Sequence, residues 1–397
     1  MQERLSPHTR VLQRIKKLEP ILSKNVFGTS PPSLLVGKKG YPDVFAGPLI
    51  TPEKNGEAAD VINSPSNWLD MSIDSIIDMC SSLVKVSNPI KVKSANAIPT
   101  SFSSDDVHTN ILSELQQCAL SARAVDSEVL FEKPPRVELR FDNILMPMGP
   151  SGRAKRIEIV DNPVVPRKVD KVVYDMDMKA ADAVVELYSH DIDHYYITRL
   201  LSAGLLGQKR TLVPSRWSIT ATEDMLGKWM INKIIDYPLI ADFELYSGER
   251  LGNHFEILFI PRPYTFELVE VWMKKSIWAP EGAIVWDSEG CEKKRYSSLA
   301  GGYYSARMGV LDHLYQKKRQ ACVFIIREVR PDYWAPLGSW VVNQTVKEVL
   351  SGRPKKFEVF EDAIKDMETR LITPREEWLR PQMRVNQSIY QRGLFEF

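Results

Sequence analysis

Short segments with strand periodicity alternate with longer segments of helical periodicity along most of this 397-residue chain. Apolar residues at every second position are typical of strands, and a spacing of three or four residues is typical of helices. Because the two patterns interleave from end to end, neither an all-helical nor an all-β fold accommodates the sequence. We therefore predict a mixed fold of the α/β or α+β class.

The individual segments follow from these two periodicities. The predicted strands are residues 34–36, 44–46, 128–132, 137–141, 172–174, 217–220, 241–246, 254–260 and 321–329. The predicted helices are residues 9–22, 72–85, 105–122, 178–188, 191–206, 223–235, 303–315, 337–350 and 360–370.

The length of the chain predicts two or three domains, since single cores rarely extend much beyond about 250–300 residues. Apolar periodicity lapses between Trp278 and Gly290. We accordingly predict two globular domains, 1–285 and 286–373, followed by a flexible C-terminal tail, 374–397. The tail is predicted to begin as an extended tether over residues 374–381, because chain termini are commonly mobile.

Composition narrows the functional classes. The chain is 44% hydrophobic and 26% charged, as in soluble globular proteins, and its 52 basic and 51 acidic residues leave a net charge of +1. Any contact with DNA must therefore come from a local basic patch. The four cysteines are far apart and form no Cys-x-x-Cys pair, which predicts reduced thiols and no zinc site. With no apolar run of about 18 residues, a cytoplasmic protein without membrane contact is expected.

The last seven residues contain a glutamine, a leucine and an aromatic residue at i, i+3 and i+6, namely Gln391, Leu394 and Phe397. Residues three apart eclipse in a 3₁₀ turn, so these side chains would project from one side. This spacing is typical of peptides that bind the sliding clamp PCNA, and Phe395 is a further candidate contact. The alternative is that Leu394, Phe395 and Phe397 pack against the body of the protein.

Two basic segments are candidate contacts for DNA phosphates: Arg153, Lys155 and Arg156 in a predicted loop over residues 149–156, and Lys209 with Arg210. Flexible cations on loops reach phosphates readily, although they can also be ordinary solvated charges.

Arg216 and Trp217 form a different kind of candidate. A guanidinium beside an indole can stack on an unpaired base. The alternative is that Trp217 belongs to the core.

Two carboxylates, Asp175 and Asp177, stand at i and i+2 after a predicted strand. On an extended chain they would share a face and could bind a divalent cation, joined by Asp142 and Glu138 if the strands are neighbours. The alternative is that Asp177 caps the helix predicted to start at residue 178 and that Asp175 forms a local ion pair.

A second spacing typical of metal ligands is less favourable. His190 and His194 would meet on one helix face, but Asp191 is a natural cap that would leave His190 outside the helix. No metal site is predicted there. The sequence contains no catalytic motif that we can identify, so the catalytic residues are unknown.

Several separated segments, taken together, resemble the archaeal Nre family of DNA-repair proteins. They are Asn25–Ser33 with Val36-Gly37 and Gly40-Tyr41-Pro42, then Tyr174–Ala180, Leu201–Gly204 with Gly207, Val213–Thr220, and Gly301–Tyr304 with Ala306-Arg307. The resemblance covers nearly the whole chain and includes the terminal peptide. It implies an N-terminal and a C-terminal Nre-type domain, a role in DNA repair and recruitment by the archaeal PCNA ring, without an established enzymatic activity.

One departure from the family pattern concerns zinc. Some family members begin with a cysteine-rich zinc-binding segment, whereas Cys80 is the first cysteine of this chain, which therefore resembles the branch without the zinc finger.

The partners that the resemblance implies are PCNA, DNA and other repair nucleases, in a nucleoid-associated location. No cofactor is implied. The alternative hypothesis is a metal-dependent nuclease, or another nucleic-acid-processing enzyme, that uses Asp175 and Asp177 with a divalent cation.

Overall fold

The structure is a computed structural model that describes residues 7–18, 22–52, 56–96, 107–274, 279–293, 295–380 and 383–386. The chain divides into two compact units. Unit 1 comprises residues 1–226 and 336–338, and unit 2 comprises residues 227–335 and 339–397. The predicted mixed fold is confirmed, since both units combine helices with β-sheet.

The described residues of unit 1 form two small sheets. Its strands are β1 Asn25–Ser30, β2 Leu34–Val36, β3 Asp43–Ile50, β4 Val84–Val86, β5 Asn88–Lys91, β6 Val125–Phe131, β7 Ser151–Gly152 and β8 Ala154–Ile159. The first sheet has the order β1-β6-β8 and is antiparallel. The second has the order β2-β3-β4-β7, with β5 paired to β3 and with β4 and β7 parallel.

The helices of unit 1 pack against these sheets. They are α1 Pro7–Leu18, α2 Gly56–Ile62, α3 Ile73–Ser81, α4 Val107–Leu120, α5 Arg167–Tyr174, α6 Ala180–Tyr188, α7 His194–Ser202 and the first part of α8 Ser215–Ile234. Helix α4 contacts β8 of one sheet and β3 of the other, with Ile111, Leu115 and Ala119 fully buried. Their spacing of four residues places them on one face, so α4 supplies core to both sheets.

Unit 2 is built on one six-stranded sheet of order β12-β11-β13-β10-β9-β14, in which β11 and β13 are parallel and the other neighbours are antiparallel. Its elements are β9 Phe243–Arg250, β10 Asn253–Ile260, β11 Thr265–Trp272, β12 Ala283–Glu289, α9 Ala300–Lys317, β13 Cys322–Val329, α10 Trp340–Ser351, β14 Lys355–Phe357, α11 Phe360–Glu368 and α12 Arg375–Trp378. Every residue of β10 and β13 is buried, as expected for central strands covered on both faces.

The predicted extended tether over residues 374–381 is wrong. Residues 375–378 form helix α12, and the fully buried Trp378 packs with Met383 and Val385 against the sheet and α11. Three large apolar side chains within eight residues stabilise this packing more than an extended, solvated chain would. We call residues 370–380 and 383–386 the C-terminal segment.

Buried carboxylates of the sheet hold the C-terminal segment in place. Glu328 on β13 accepts hydrogen bonds from the amides of Ile372 and Thr373, at 3.0 and 2.9 Å. Glu267 on β11 accepts one from the amide of Val385 at 2.8 Å. The glutamates thus accept from backbone amides that belong to no strand ladder, and the amide of Val385 is the buried one among them.

Several sequence predictions of local structure are confirmed and others are wrong. The strand at residues 34–36 and the helices predicted at 303–315 and 360–370 are present as β2, α9 and α11. Residues 172–174 and 217–220, predicted as strands, lie in helices α5 and α8. Residues 137–141, predicted as a strand, contain a single bridge residue, Arg140, with a second bridge at Arg136 just before them. The predicted loop over 149–156 contains β7 and the first half of β8.

The predicted domain boundary at 285/286 remains a prediction, although both residues lie within β12, which pairs with β11. The compact units divide inside α8 instead. None of the helices in the described part of the chain is long and apolar enough to cross a membrane.

Candidate nucleic-acid interface

The connection between β2 and β3 presents an aromatic ring to solvent. The amide of Gly37 donates to the carbonyl of Phe45 at 2.8 Å, and that of Asp43 donates to the carbonyl of Gly40 at 3.0 Å. Gly40 has φ +86°, and a Cβ there would lie 2.6 Å from the carbonyl oxygen of Asp43, so the turn requires glycine. Tyr41 follows directly, with 52% of its surface exposed.

A second exposed ring lies on β3. Val44 and Ala46 point into the core, so Phe45 between them points outward and is 42% exposed. Phe45 is opposite Pro89 on β5, and two residues away Lys91 is opposite Asp43. Cross-strand partners share a face, so the outer face of this strand pair carries a phenylalanine ring, a lysine and an aspartate.

The third exposed ring is Trp217, in the first turn of α8. The hydroxyl oxygen of Ser215 accepts a hydrogen bond from the amide of Val36 at 2.9 Å, which fixes the start of α8 beside β2. Trp217 is 43% exposed, and its ring centroid lies 5.2 Å from that of Tyr41 at an interplanar angle of 56°. The prediction that Trp217 is available to a base is therefore compatible with its position, and the core alternative is not.

Arg153 contacts one of these rings, that of Phe45, from the junction between β7 and β8. The side-chain amide of Asn88 donates to the carbonyl of Ala154 and accepts from its amide, each at 2.9 Å, which holds this junction beside β5. The guanidinium carbon of Arg153 lies 5.8 Å from the ring centroid of Phe45, within the range of a cation–π contact. We call Tyr41, Phe45, Trp217 and Arg153 the aromatic surface.

Four lysines lie on the chain segments that carry the aromatic surface. Lys38 and Lys39 precede Tyr41 in the β2–β3 connection, and Lys91 and Lys93 lie at and just after the end of β5; all four are exposed. None of the four forms an ion pair with a carboxylate of the described residues. Their charges are therefore available to an anionic partner, with Asp43 the acidic exception on the same face.

Arg216 does not act as the predicted partner of Trp217 in base stacking. Its guanidinium donates to both carboxylate oxygens of Asp142, at 2.8 and 2.6 Å, and to the side-chain oxygen of Asn143 at 3.0 Å. Asp142 also accepts from the amide of Ile144 at 2.8 Å. Arg216 therefore stabilises a turn, and the planar group is already occupied by hydrogen bonds.

The prediction that Arg210 contacts phosphate is also wrong. Only 1% of Arg210 is exposed, and its guanidinium donates to the carbonyls of Leu205 and Val173, both at 2.6 Å, and of Gly207 at 3.0 Å. Burial lowers the pKa of Arg210, and the nearby carboxylate of Asp175 partly offsets this. The adjacent Lys209 is exposed and stays a candidate.

Lys155 and Arg156 are exposed, although they lie on strand β8 and not on a loop. Arg156 forms an exposed ion pair with Glu158 at 3.0 Å. Such pairs are weak and open readily, so both residues remain candidate phosphate contacts.

Asp175 and Asp177 do not form the predicted carboxylate pair at a strand end. Asp175 follows helix α5, and its Oδ1 accepts hydrogen bonds from the amides of Asp177 and Met178, both at 3.0 Å. Asp177 does not cap α6 either, because Lys179 is the residue before that helix. Asp175 therefore forms an Asx turn in the connection between α5 and α6.

The carboxylates expected to join them are engaged elsewhere: Asp142 pairs with Arg216, and Glu138 accepts from the hydroxyl of Ser151 at 2.7 Å. Among the described residues no group of three or more His, Cys, Asp or Glu side chains could hold a metal ion. Asp193, and not Asp191, caps helix α7, which leaves His190 outside that helix.

The clamp-contact candidates Gln391, Leu394, Phe395 and Phe397 lie outside the described residues, so their prediction stays untested. Sequence reasoning missed Tyr41 and Phe45. The short strand Val44-Phe45-Ala46 has Val44 and Ala46 on one face, which indicates that the Phe45 ring lies on the other. Tyr41 lies between the turn residues Gly40 and Pro42, which indicates an exposed position. No local pattern indicates the contact of Tyr41 with Trp217.

Comparison with known proteins covers nearly all of the chain. The family model described as archaeal Nre, N-terminal, matches residues 4–279, and that described as archaeal Nre, C-terminal, matches residues 289–397. No solved structure matches the chain significantly.

Three curated relatives are similar over most of their length. The DNA repair protein NreA of Archaeoglobus fulgidus is 40% identical over 89% of this chain and 88% of its own. NreB of the same organism is 30% identical over 98% of this chain and 96% of its own. NreA of Haloferax volcanii is 32% identical over 88% of this chain and 84% of its own. The chain therefore belongs to the archaeal Nre family.

Proposed function

We propose that this protein is a DNA-repair factor that contacts DNA through unit 1 and is recruited to it by the sliding clamp PCNA. The observation that carries the repair role is the 40% identity, over 89% of the chain, to a relative named as a DNA repair protein. The proposal includes a location on DNA in the nucleoid. The aromatic surface and its lysines supply the local patch that a chain of net charge +1 needs for DNA contact.

Recruitment is assigned to the terminal peptide Gln391–Phe397. Its spacing favours a single turn that presents Leu394 and Phe397 to an apolar pocket and the Gln391 amide to a polar one. Burying each apolar side chain would contribute about 1.5–3 kcal/mol, before the cost of ordering the peptide. The expected affinity is modest, roughly micromolar.

The C-terminal segment determines how far this peptide reaches. Asn386 is the last described residue, and residues 387–390 alone separate it from Gln391. At about 3.5 Å per residue, the five links between Asn386 and Gln391 span at most about 17 Å. A clamp bound to the peptide would therefore stay close to unit 2.

A binding measurement with full-length chains and an archaeal PCNA ring tests the recruitment. We expect Leu394→Ala and Phe397→Ala each to weaken binding at least about tenfold, since each removes about 1.5–3 kcal/mol of apolar contact. Arg392→Ala is the matched control within the same peptide, and its affinity should change less than about threefold. If both apolar variants bind the clamp as tightly as the parent chain, recruitment through this peptide is wrong.

A further inference from the structure

We propose that the aromatic surface of unit 1 binds unpaired bases of single-stranded DNA, with Tyr41, Phe45 and Trp217 as stacking side chains. This inference rests on the proposed contact with DNA and adds the form of DNA that is recognised.

The three aromatic side chains are unusually exposed. Large aromatic side chains are usually mostly buried, yet these three are 52%, 42% and 43% exposed. Their positions are set by well-ordered local structure: a glycine turn, an alternating strand and the first turn of a helix. The rings of Tyr41 and Trp217 are tilted by 56° and are not stacked face to face. Between 42% and 52% of the surface of each of the three residues therefore remains available to a ligand.

Lysine and arginine side chains lie on the segments that carry these rings. Lys38 and Lys39 adjoin Tyr41 in sequence, and Lys91 lies on the same strand face as Phe45. Arg153 lies over the Phe45 ring itself. Alternation of aromatic rings with cations is the pattern by which single-stranded nucleic acids are held, the rings contacting bases and the cations contacting phosphates.

The geometry of the DNA favours single strands over duplex. A duplex stacks its bases on one another and presents only their edges in the grooves. Ring faces would gain nothing from such a partner, whereas each unpaired base offers a face of its own. An uncharged apolar partner, in turn, would leave the cations without a role.

The test measures binding of the full-length protein to a fluorescein-labelled oligothymidine of about 20 nucleotides, longer than the roughly 4–16 nucleotides that single-strand binding modules cover. A duplex of the same length is measured in parallel. We expect the single strand to bind more tightly. Trp217→Ala and Tyr41→Ala should each weaken single-strand binding about five- to a hundredfold, because removal of one stacking ring has effects of this size.

Two further variants separate stacking from folding. Trp217→Phe keeps an aromatic face and should restore binding to within about threefold of the parent chain. Tyr174→Ala removes a comparably exposed ring, 60% exposed at the end of α5, and should leave binding unchanged. Thermal unfolding of each variant confirms that it is folded.

Three outcomes overturn the inference: equal binding of duplex and single strand, unchanged single-strand binding in both alanine variants, and a Trp217→Phe variant as weak as Trp217→Ala. A protein partner on this surface would produce the second of these. The assay contains no clamp, so failure of the terminal peptide to bind PCNA leaves its result readable. If the unsubstituted protein binds neither form of DNA, both this inference and the proposed DNA contact of unit 1 are wrong.

Discussion

Lys209 and Arg210 are neighbours in the sequence, but the structure gives their charges different roles. Lys209 is exposed, whereas Arg210 is buried and donates to three backbone carbonyls between 2.6 and 3.0 Å. The carbonyl of Val173 lies in the last turn of α5, and that of Leu205 follows the end of α7. Carbonyls at the end of a helix have no partner within the helix. The guanidinium of Arg210 therefore links the end of α5 to residues 205–207, because it donates hydrogen bonds to carbonyls of both.

Substitution of these neighbours makes the difference measurable. Arg210→Met should lower the free energy of unfolding by about 2–4 kcal/mol, because it leaves several buried carbonyls without donors. Lys209→Met should change that free energy by less than about 0.5 kcal/mol, as at other exposed positions. Urea denaturation of the two variants measures both values. Equal stability of the two would show that the carbonyl contacts of Arg210 contribute nothing.

At the scale of secondary structure, sequence periodicity identified elements with a clear period or evident flanking turns and failed on segments of three or four residues that also fit a strand. Helix α9 is long enough for its period to be clear, and β2 lies between evident turns. Residues 172–174 are a short apolar run that fits a strand equally well, and only the burial of Val169, four residues before Val173, identifies the helix. Residues 217–220 alternate apolar and polar side chains, as a strand does, yet they lie in α8.

The parts that could not be predicted depend on contacts between distant residues. Tyr41 and Trp217 meet through the docking of α8 on β2, which no local pattern encodes. From the sequence alone the C-terminal segment is predicted to begin as an extended tether, because chain termini are commonly mobile. It is instead fixed by Glu267 and Glu328, which lie on strands far earlier in the chain. Candidate residues were thus identifiable one by one, while their grouping into a surface required the fold.

The anchoring of the C-terminal segment can be tested on two glutamates that hold the same element. Glu328→Gln should lower the free energy of unfolding by about 2–3 kcal/mol, because a buried carboxylate that accepts from several donors gives way to an amide that is itself a donor. Glu361→Gln breaks the part-exposed pair with Arg375 and should cost less than about 1 kcal/mol.

Hydrogen exchange gives a local measurement of the same effect. The amides of Ile372 and Thr373 should lose protection in Glu328→Gln and retain it in Glu361→Gln. Retained protection in both variants would mean that apolar packing around Trp378 alone holds the segment.

For the molecule as a whole, the balance of charge limits how DNA can be bound. With 52 basic and 51 acidic residues, the protein has no long-range positive field, so its DNA affinity should depend on the few cations beside the aromatic surface. Five qualify: Lys38, Lys39, Lys91, Lys93 and Arg153. Arg210 and Arg216 are excluded because their guanidinium groups are engaged within the protein.

This count predicts the salt dependence of binding. For a single strand, log K falls with log salt concentration by about 0.7 per phosphate contact, so five contacts predict a slope of about −3.5. Lys91→Gln should reduce the slope by about 0.7, whereas Lys365→Gln, at an exposed lysine on α11 of unit 2, should leave it unchanged. Anisotropy titrations with oligothymidine over a range of salt concentrations measure both. A slope near zero would mean that the rings bind the strand without help from the cations. A slope much steeper than −3.5 would mean that further basic residues, including Lys155 and Arg156, contact the strand.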